Sequence, residues 1–117
     1  MTTTLLAIIL ASVHAFAEPR APEGAERVAI GNYVRAHMQP LDDCYDRRLA
    51  TVPTLRGKLI LRFEIASKGE VAEVSADGMQ DAKLIECVVK QVKTWQFEGP
   101  PAGVTLRVAY PISFQPG

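Results

Sequence analysis

Two segments of the chain alternate apolar and polar residues, which is the period of a β-strand with one buried face. The first is 58–65. The second is 104–114, where the apolar positions are Val104, Leu106, Val108, Tyr110, Ile112 and Phe114. A shorter and less regular segment, 71–76, predicts a third strand that carries a bulge or lies at a sheet edge. Between 58–65 and 71–76, Gly69 offers the positive φ that a tight turn needs.

Apolar residues at intervals of three and four predict helices on both sides of the first two strands. One such pattern extends from Val28 to Leu49, and Pro40 within it predicts a kink or a break into two segments. The other pattern occupies 82–95, with Asp81 as its N-cap. The apolar stripe of this second helix consists of Leu84, Ile85, Val88, Val92 and Trp95.

The order helix–strand–strand–helix–strand predicts an α+β fold. A right-handed crossover through the second helix would place the last strand beside the first, in a three-stranded antiparallel sheet ordered 2-1-3. Both helices would then cover one face of the sheet, which makes a two-layer sandwich. Pro111 cannot donate a ladder hydrogen bond, so we expect the last strand to lie at a sheet edge or to extend past its partner.

Residues 1–17 have the pattern of a secretory signal peptide. A largely apolar stretch begins at Leu5 and ends in Ala-Phe-Ala, a sequence typical of signal-peptide cleavage. A stretch of about 13 residues is too short for a membrane-spanning helix. We therefore expect cleavage after Ala17 and a periplasmic or secreted protein; the alternative is a membrane anchor whose start is misassigned.

Composition narrows the classes of function. The 117 residues include 13 basic and 13 acidic side chains, so a net charge of zero gives no electrostatic signature of nucleic-acid or anionic-membrane binding. Residues 18–27 are rich in proline, glycine and charge, which predicts a flexible tether. The remainder, 28–117, is the size of one small domain. A glycine-rich phosphate loop is absent, and we predict neither a cofactor nor a small-molecule substrate.

The two cysteines, Cys44 and Cys87, lie on the two helices expected to cover the sheet. In an exported protein an even number of cysteines favours a disulfide. Closing a loop of about 44 residues would stabilise the fold by about 4 kcal/mol in the chain-entropy model. A buried reduced pair is an alternative, as is a catalytic thiol with His37, expected on the same helix face as Cys44, as its base. The spacings are not those of a structural zinc site, so we predict no metal.

Two further groups of residues favour structural interpretations. Trp95 and Phe97, at the exit of the second helix, are expected to cap the core. A cluster of carboxylates is followed directly by arginines, which favours local ion pairs on a solvated helix surface over acid–base catalysis. Its members are Asp42, Asp43, Asp46, Arg47 and Arg48.

The backbone of the last strand is the remaining candidate for function. An exposed sheet edge can accept a partner peptide as an additional strand, the mode called β-augmentation. The alternative is an edge protected by Pro111, by Arg107 or by a dimer partner. The residues of this candidate edge are Val104, Leu106, Arg107, Val108, Tyr110, Ile112 and Phe114.

A series of short motifs within residues 30–116 resembles the TonB-like C-terminal domains, in particular the AgmX/PglI C-terminal type known from myxobacterial envelope proteins. In order, the motifs are Cys44-Tyr45, Pro53-x-Leu55-x-Gly57, Gly69-x-Val71, Cys87-Val88, Thr94-Trp95-x-Phe97 and Tyr110-Pro111-x-x-Phe114. Glu98 stands where the family usually has proline, which alters only the loop. The resemblance implies a TonB-like fold and a non-enzymatic role in the Gram-negative periplasm.

In TonB itself such a domain pairs its last strand with a peptide segment of an outer-membrane transporter. Energy transducers carry a membrane helix and a long spacer, whereas this chain has a signal-like segment and a short tether, which favours a free periplasmic adaptor. The leading hypothesis is therefore an interaction module for an envelope protein or peptide, with no nucleic-acid partner and with homodimerisation left open. The alternatives are a structural or assembly component of an envelope transport or gliding apparatus and, second, a thiol-dependent enzyme.

Overall fold

The structure is a computed structural model that describes residues 18–117. The predicted signal peptide and its cleavage after Ala17 lie outside the described residues. Within the described range, no helix combines the length and the apolar character needed to cross a bilayer. The helices and strands are α1 (Gly24–Ala36), α2 (Gln39–Leu49), β1 (Gly57–Ile65), β2 (Val71–Asp77), α3 (Ala82–Val92) and β3 (Leu106–Phe114).

The first predicted helix is divided into α1 and α2, as Pro40 indicated. Pro40 lies in the first turn of α2, where a proline removes no intrahelical hydrogen bond. His37 follows the end of α1, is exposed, and stacks on Tyr33 with ring centroids 3.8 Å apart. The expected helix face shared by His37 and Cys44 is therefore wrong, because the helix that was to carry both residues ends between them.

The helix α1 begins at Gly24 rather than at Val28 and so includes part of the expected tether. Glu26 Oε1 accepts a hydrogen bond from the backbone N–H of Glu23 at 3.1 Å. The guanidinium of Arg20 donates to both carboxylate oxygens of the same glutamate, at 2.8 and 3.0 Å. Since polar contacts start this helix, the apolar periodicity could not locate its first turn.

The three strands form one antiparallel sheet in the predicted order, with β1 between β2 and β3. The β1–β3 ladder keeps a continuous register along both strands. In the β1–β2 ladder the register shifts between Arg62 and Glu64, and opposite this point Glu73 has a φ of 52°. This is the bulge that the irregular pattern of 71–76 predicted, and it lies on an edge strand.

The core lies between the helices and one face of the sheet, so the two-layer α+β architecture is confirmed. The alternate apolar positions of β1 and most of the α3 stripe are almost completely buried, while Ile85 of the stripe is half-buried. The buried residues are Leu59, Leu61, Phe63, Ile65, Leu84, Val88 and Val92. Trp95 and Phe97 are buried beside them, as expected, and their rings contact that of Phe63. The other face of the sheet, which carries Arg62 and Arg107, is open to solvent.

The connections around α3 follow the predicted local chemistry. The Asp81 carboxylate accepts a hydrogen bond from the backbone N–H of Leu84 at 2.8 Å and thereby caps the helix. Gly69 in the β1–β2 turn has a φ of 86° and accepts a hydrogen bond from Phe97 N–H at 2.9 Å. A β-carbon at this glycine would collide with the Phe97 carbonyl oxygen, so the position requires glycine for space as well as for conformation.

Candidate interaction edge

The outward-facing backbone groups of β3 belong to alternate residues. The N–H of Arg107 donates to the carbonyl of Arg20 at 2.7 Å, on the side away from β1, so it makes no ladder bond to β1. Since the β1–β3 register is continuous, Ala109, Pro111 and Ser113 share this outward orientation. Pro111 therefore lies where its missing N–H costs no bond to β1, which explains how β3 accommodates a proline in mid-strand.

The first part of this edge is covered by the N-terminal segment of the same chain. Arg20 forms a parallel bridge with Leu106, and its N–H donates to the carbonyl of Thr105 at 3.0 Å. Its carbonyl accepts the hydrogen bond from Arg107. The side chain of Arg20 also pairs with Glu26, and this hydrogen bond lowers the pKa of the Glu26 carboxyl. Backbone and side chain of one arginine therefore hold the segment against the sheet.

Pro22 ends this pairing. In an extended segment, alternate residues direct their backbone groups to the same neighbour, so the next residue after Arg20 that could pair with β3 is Pro22. Pro22 has no N–H to donate to the outward carbonyl of Arg107. Among residues 18–117, no other segment pairs with the outer side of β3 beyond this point. We call the remaining stretch the free edge. It consists of the carbonyl of Arg107, the N–H and carbonyl of Ala109, the carbonyl of Pro111, and the N–H and carbonyl of Ser113.

An open groove of about 340 Å³ lies beside the first part of the free edge, residues 107–110, between β3 and α1. Its β3 side includes Val108 and Tyr110, and its α1 side includes Ile30 and Gly31. Pro22 also lines the groove, so the segment that covers the first part of the edge also bounds the groove. A strand added to the free edge would place alternate side chains in this groove and on the open face of the sheet.

The charged residues that line the groove are both arginines. Among residues 18–117, Arg27 forms no ion pair, and its guanidinium donates only to the carbonyl of Pro22, at 3.4 Å. Arg107 lies 3.8 Å from the Glu64 carboxylate, and its side chain remains 63% exposed. Because no carboxylate lines the groove, its lining carries a net positive charge although the chain is neutral overall.

Most of the residues predicted for the edge direct their side chains into the core. Leu106, Val108, Ile112 and Phe114 are buried and Tyr110 is half-buried, while Val104 precedes β3 and Arg107 is exposed. The groups that the edge presents to a partner are therefore the backbone N–H and carbonyl groups of the intervening residues. The contribution of α1 through Arg27 and Gly31 had no signal in the sequence, because it depends on how α1 packs beside β3.

Cys44 and Cys87 form a disulfide that joins α2 to α3, as predicted. Cys44 is buried, and the Arg47 guanidinium lies 3.0 Å from the sulfur of Cys87. Since the chain has only these two cysteines, the thiol-dependent alternative has no nucleophile while the bond is intact. In the described part of the chain, no three potential metal-ligating side chains lie close enough together to hold an ion.

The carboxylate cluster of α2 is exposed, as expected, but the expected local ion pairs are wrong: in the described part of the chain, Asp42, Asp43 and Asp46 form no ion pair with Arg47 or Arg48. Partial desolvation of its carboxyl raises the pKa of Asp42, and the nearby charges of Asp46 and Asp43 add to this shift. Arg48 pairs instead with Asp81 before α3, at 2.9 and 3.0 Å. This ion pair forms a second connection between α2 and the start of α3, beside the disulfide.

The geometry defines a small α+β domain with a disulfide between its helices and a partly open edge on its sheet. Neither models of known families nor curated proteins match the sequence. Among solved structures, the chain is similar to the TonB C-terminal domain of Helicobacter pylori, with 16% identity and a TM-score of 0.46. The match covers 80% of this chain and 96% of the other. The AgmX/PglI type stays a prediction.

Proposed function

We propose that this protein is an exported, non-enzymatic interaction module that binds an extended segment of an envelope protein by strand addition to the free edge. The observation that carries the proposal is the set of outward backbone groups from Arg107 to Ser113, which no described segment covers. An edge that is open beside a groove is the arrangement used in β-augmentation, where backbone hydrogen bonds provide affinity and side-chain pockets provide specificity.

The opposite edge of the sheet is less suited to this role. The bulge at Glu73 interrupts the regular spacing of β2, and bulges protect edges against pairing. β3 has no such irregularity, since its register with β1 is continuous. The proposal therefore concerns β3 alone.

Export is supported by the signal-like residues 1–17 and by the disulfide, because disulfides persist in oxidising compartments. The motif series that resembles TonB-like domains supports a periplasmic role. Fractionation of cells, with the mature N-terminus determined on the recovered protein, tests this part: recovery of uncleaved protein from the cytoplasm would contradict it.

The binding mode is tested by Ala109→Pro. This change removes an outward donor but no bond to β1, and Pro111 shows that β3 accepts proline at this orientation. We expect the variant to remain folded and to bind partners about tenfold more weakly, because one hydrogen bond is lost and the ring obstructs the approaching strand. Quantitative mass spectrometry of proteins captured from envelope extract measures the difference.

Ala109→Val is the matched control, since it retains the N–H and fills similar space. Val108→Pro would not serve, because the N–H of Val108 faces β1 and its removal would damage the sheet itself. A protein that is captured equally by the wild type, Ala109→Val and Ala109→Pro does not bind by strand addition. If no capture depends on Ala109, the proposed function is wrong.

A further inference from the structure

We infer that the free edge selects an extended segment that carries an acidic side chain. The inference rests on the proposed function and adds the chemistry of the partner. The groove beside the free edge is lined by Arg27 and Arg107 and by no carboxylate. A partner strand that pairs with Ala109 would bring its alternate side chains past these two guanidinium groups, one on each face of the sheet.

The two arginines are available to a partner for different reasons. Arg27 forms no ion pair among residues 18–117, so an incoming carboxylate would not compete with a carboxylate of the domain, and the hydrogen bond to the Pro22 carbonyl is long, at 3.4 Å. The contact of Arg107 with Glu64 is long, at 3.8 Å, and leaves most of the arginine side chain in solvent. Arg20, by contrast, pairs with Glu26 and lies at the covered part of the edge.

Gly31 lies on the α1 side of the groove, where it is buried and contributes no side chain. It lies within α1, where glycine costs about 1 kcal/mol relative to alanine. A β-carbon there would meet the guanidinium of Arg35 at 3.3 Å, and its three nearest neighbours are all atoms of this flexible side chain. Internal packing of the domain therefore does not demand glycine. The absent side chain leaves the α1 side of the groove without a β-carbon at this position, beside the guanidinium of Arg35.

A second copy of this chain is a poorer occupant than an acidic peptide. If the free edges of two copies paired about a two-fold axis, each edge would contain Pro111, so the pairing would lack two N–H donors instead of one. The same arrangement would bring Arg27 and Arg107 of one copy towards those of the other, and like charges at an interface are unfavourable. A heterologous acidic strand avoids both penalties.

The probe for the test is a blocked, fluorescein-labelled peptide of alternating valine and aspartate. Two matched peptides carry asparagine or lysine in place of aspartate. Fluorescence anisotropy measures their affinity for the full chain at low and high ionic strength. We expect the order aspartate, asparagine, lysine, with aspartate binding about threefold to tenfold tighter than asparagine at low salt and less so at high salt.

Arg27→Glu should remove the preference for aspartate without affecting the thermal midpoint. Lys90→Glu, on the exposed side of α3, makes the same change in net charge away from the groove and should leave the preference intact. Ala109→Pro should weaken all the peptides together, since it acts on the backbone contacts. Arg27→Glu therefore tests the charge beside the groove, Lys90→Glu tests the net charge of the chain, and Ala109→Pro tests strand addition.

The outcomes distinguish the inference from the function on which it rests. If aspartate and asparagine peptides bind equally and both depend on Ala109, strand addition stands and the acidic preference is overturned. If the aspartate peptide binds but Ala109→Pro has no effect, the attraction is general surface electrostatics and the inference is again overturned. If no peptide binds in a manner that depends on Ala109, the proposed function fails as well.

Discussion

Removing the bond between Cys44 and Cys87 should lower the free energy of unfolding by about 4 kcal/mol. The bonded residues are 43 positions apart in the chain, and for a closed loop of this size the chain-entropy model gives that figure. Small domains unfold with about 5–15 kcal/mol in total, so the loss is a large fraction of stability. The loop contains β1 and β2, which means that the bond restricts much of the unfolded chain.

Urea unfolding of the wild type, with and without a phosphine reductant, measures this contribution while leaving every sulfur atom in place. The Cys44→Ala/Cys87→Ala variant is the second measurement, and it should be slightly less stable than the reduced wild type because Cys44 is buried and its sulfur is lost. Oxidised and reduced proteins that differ by less than about 1 kcal/mol would refute the account of the disulfide as a major constraint on the unfolded state.

The remaining predictions concern two glycines and one helix cap. Gly69→Ala should destabilise the fold by more than about 2 kcal/mol, because the residue has a positive φ and the added methyl group would meet the Phe97 carbonyl. Gly31→Ala should be neutral or stabilising, and equal thermal midpoints of the two variants would contradict this difference. Asp81→Asn should destabilise the protein at neutral pH. The hydrogen bond from Arg48 lowers the pKa of Asp81 in the folded state, so its contribution is complete above the unfolded value of about 3.9 and is lost as the pH falls through the folded value. The difference in unfolding free energy between wild type and variant should therefore shrink as the pH falls below about 4 and disappear below the folded pKa of Asp81. A difference that stays constant down to low pH would exclude this mechanism.

The order of the sheet could be predicted because strand alternation and helical spacing are properties of side chains that the core requires. β1 and β3 each bury one regular face, and that face is visible in the sequence. The disulfide could be predicted because the signal-like segment indicated an oxidising compartment and the two cysteines lie on helices that were expected to cover one face of the sheet. Pro111 indicated that β3 lies at an edge of the sheet, because a residue without an N–H cannot donate to strands on both sides.

The division of the β3 edge could not be predicted, because backbone contacts determine it. Arg20 pairs with β3 through its N–H and carbonyl, which every residue other than proline also possesses. The segment around it has no apolar periodicity and was expected to be a tether. His37 was wrongly placed on one helix face with Cys44, because Pro40 indicated an interruption but not the residue at which α1 ends.

The features along the edges of the sheet together restrict pairing to a short interval. On β2, the bulge at Glu73 disturbs the regular spacing that a partner strand needs. On β3, the segment around Arg20 occupies the first part, and Pro22 stops it from extending further. Pro111 removes a donor from the middle of the stretch that remains. A long strand of another protein, or a stack of copies, would meet these interruptions at several places, whereas a segment of a few residues meets one. The architecture therefore favours a short linear motif as the partner and disfavours open-ended sheet growth.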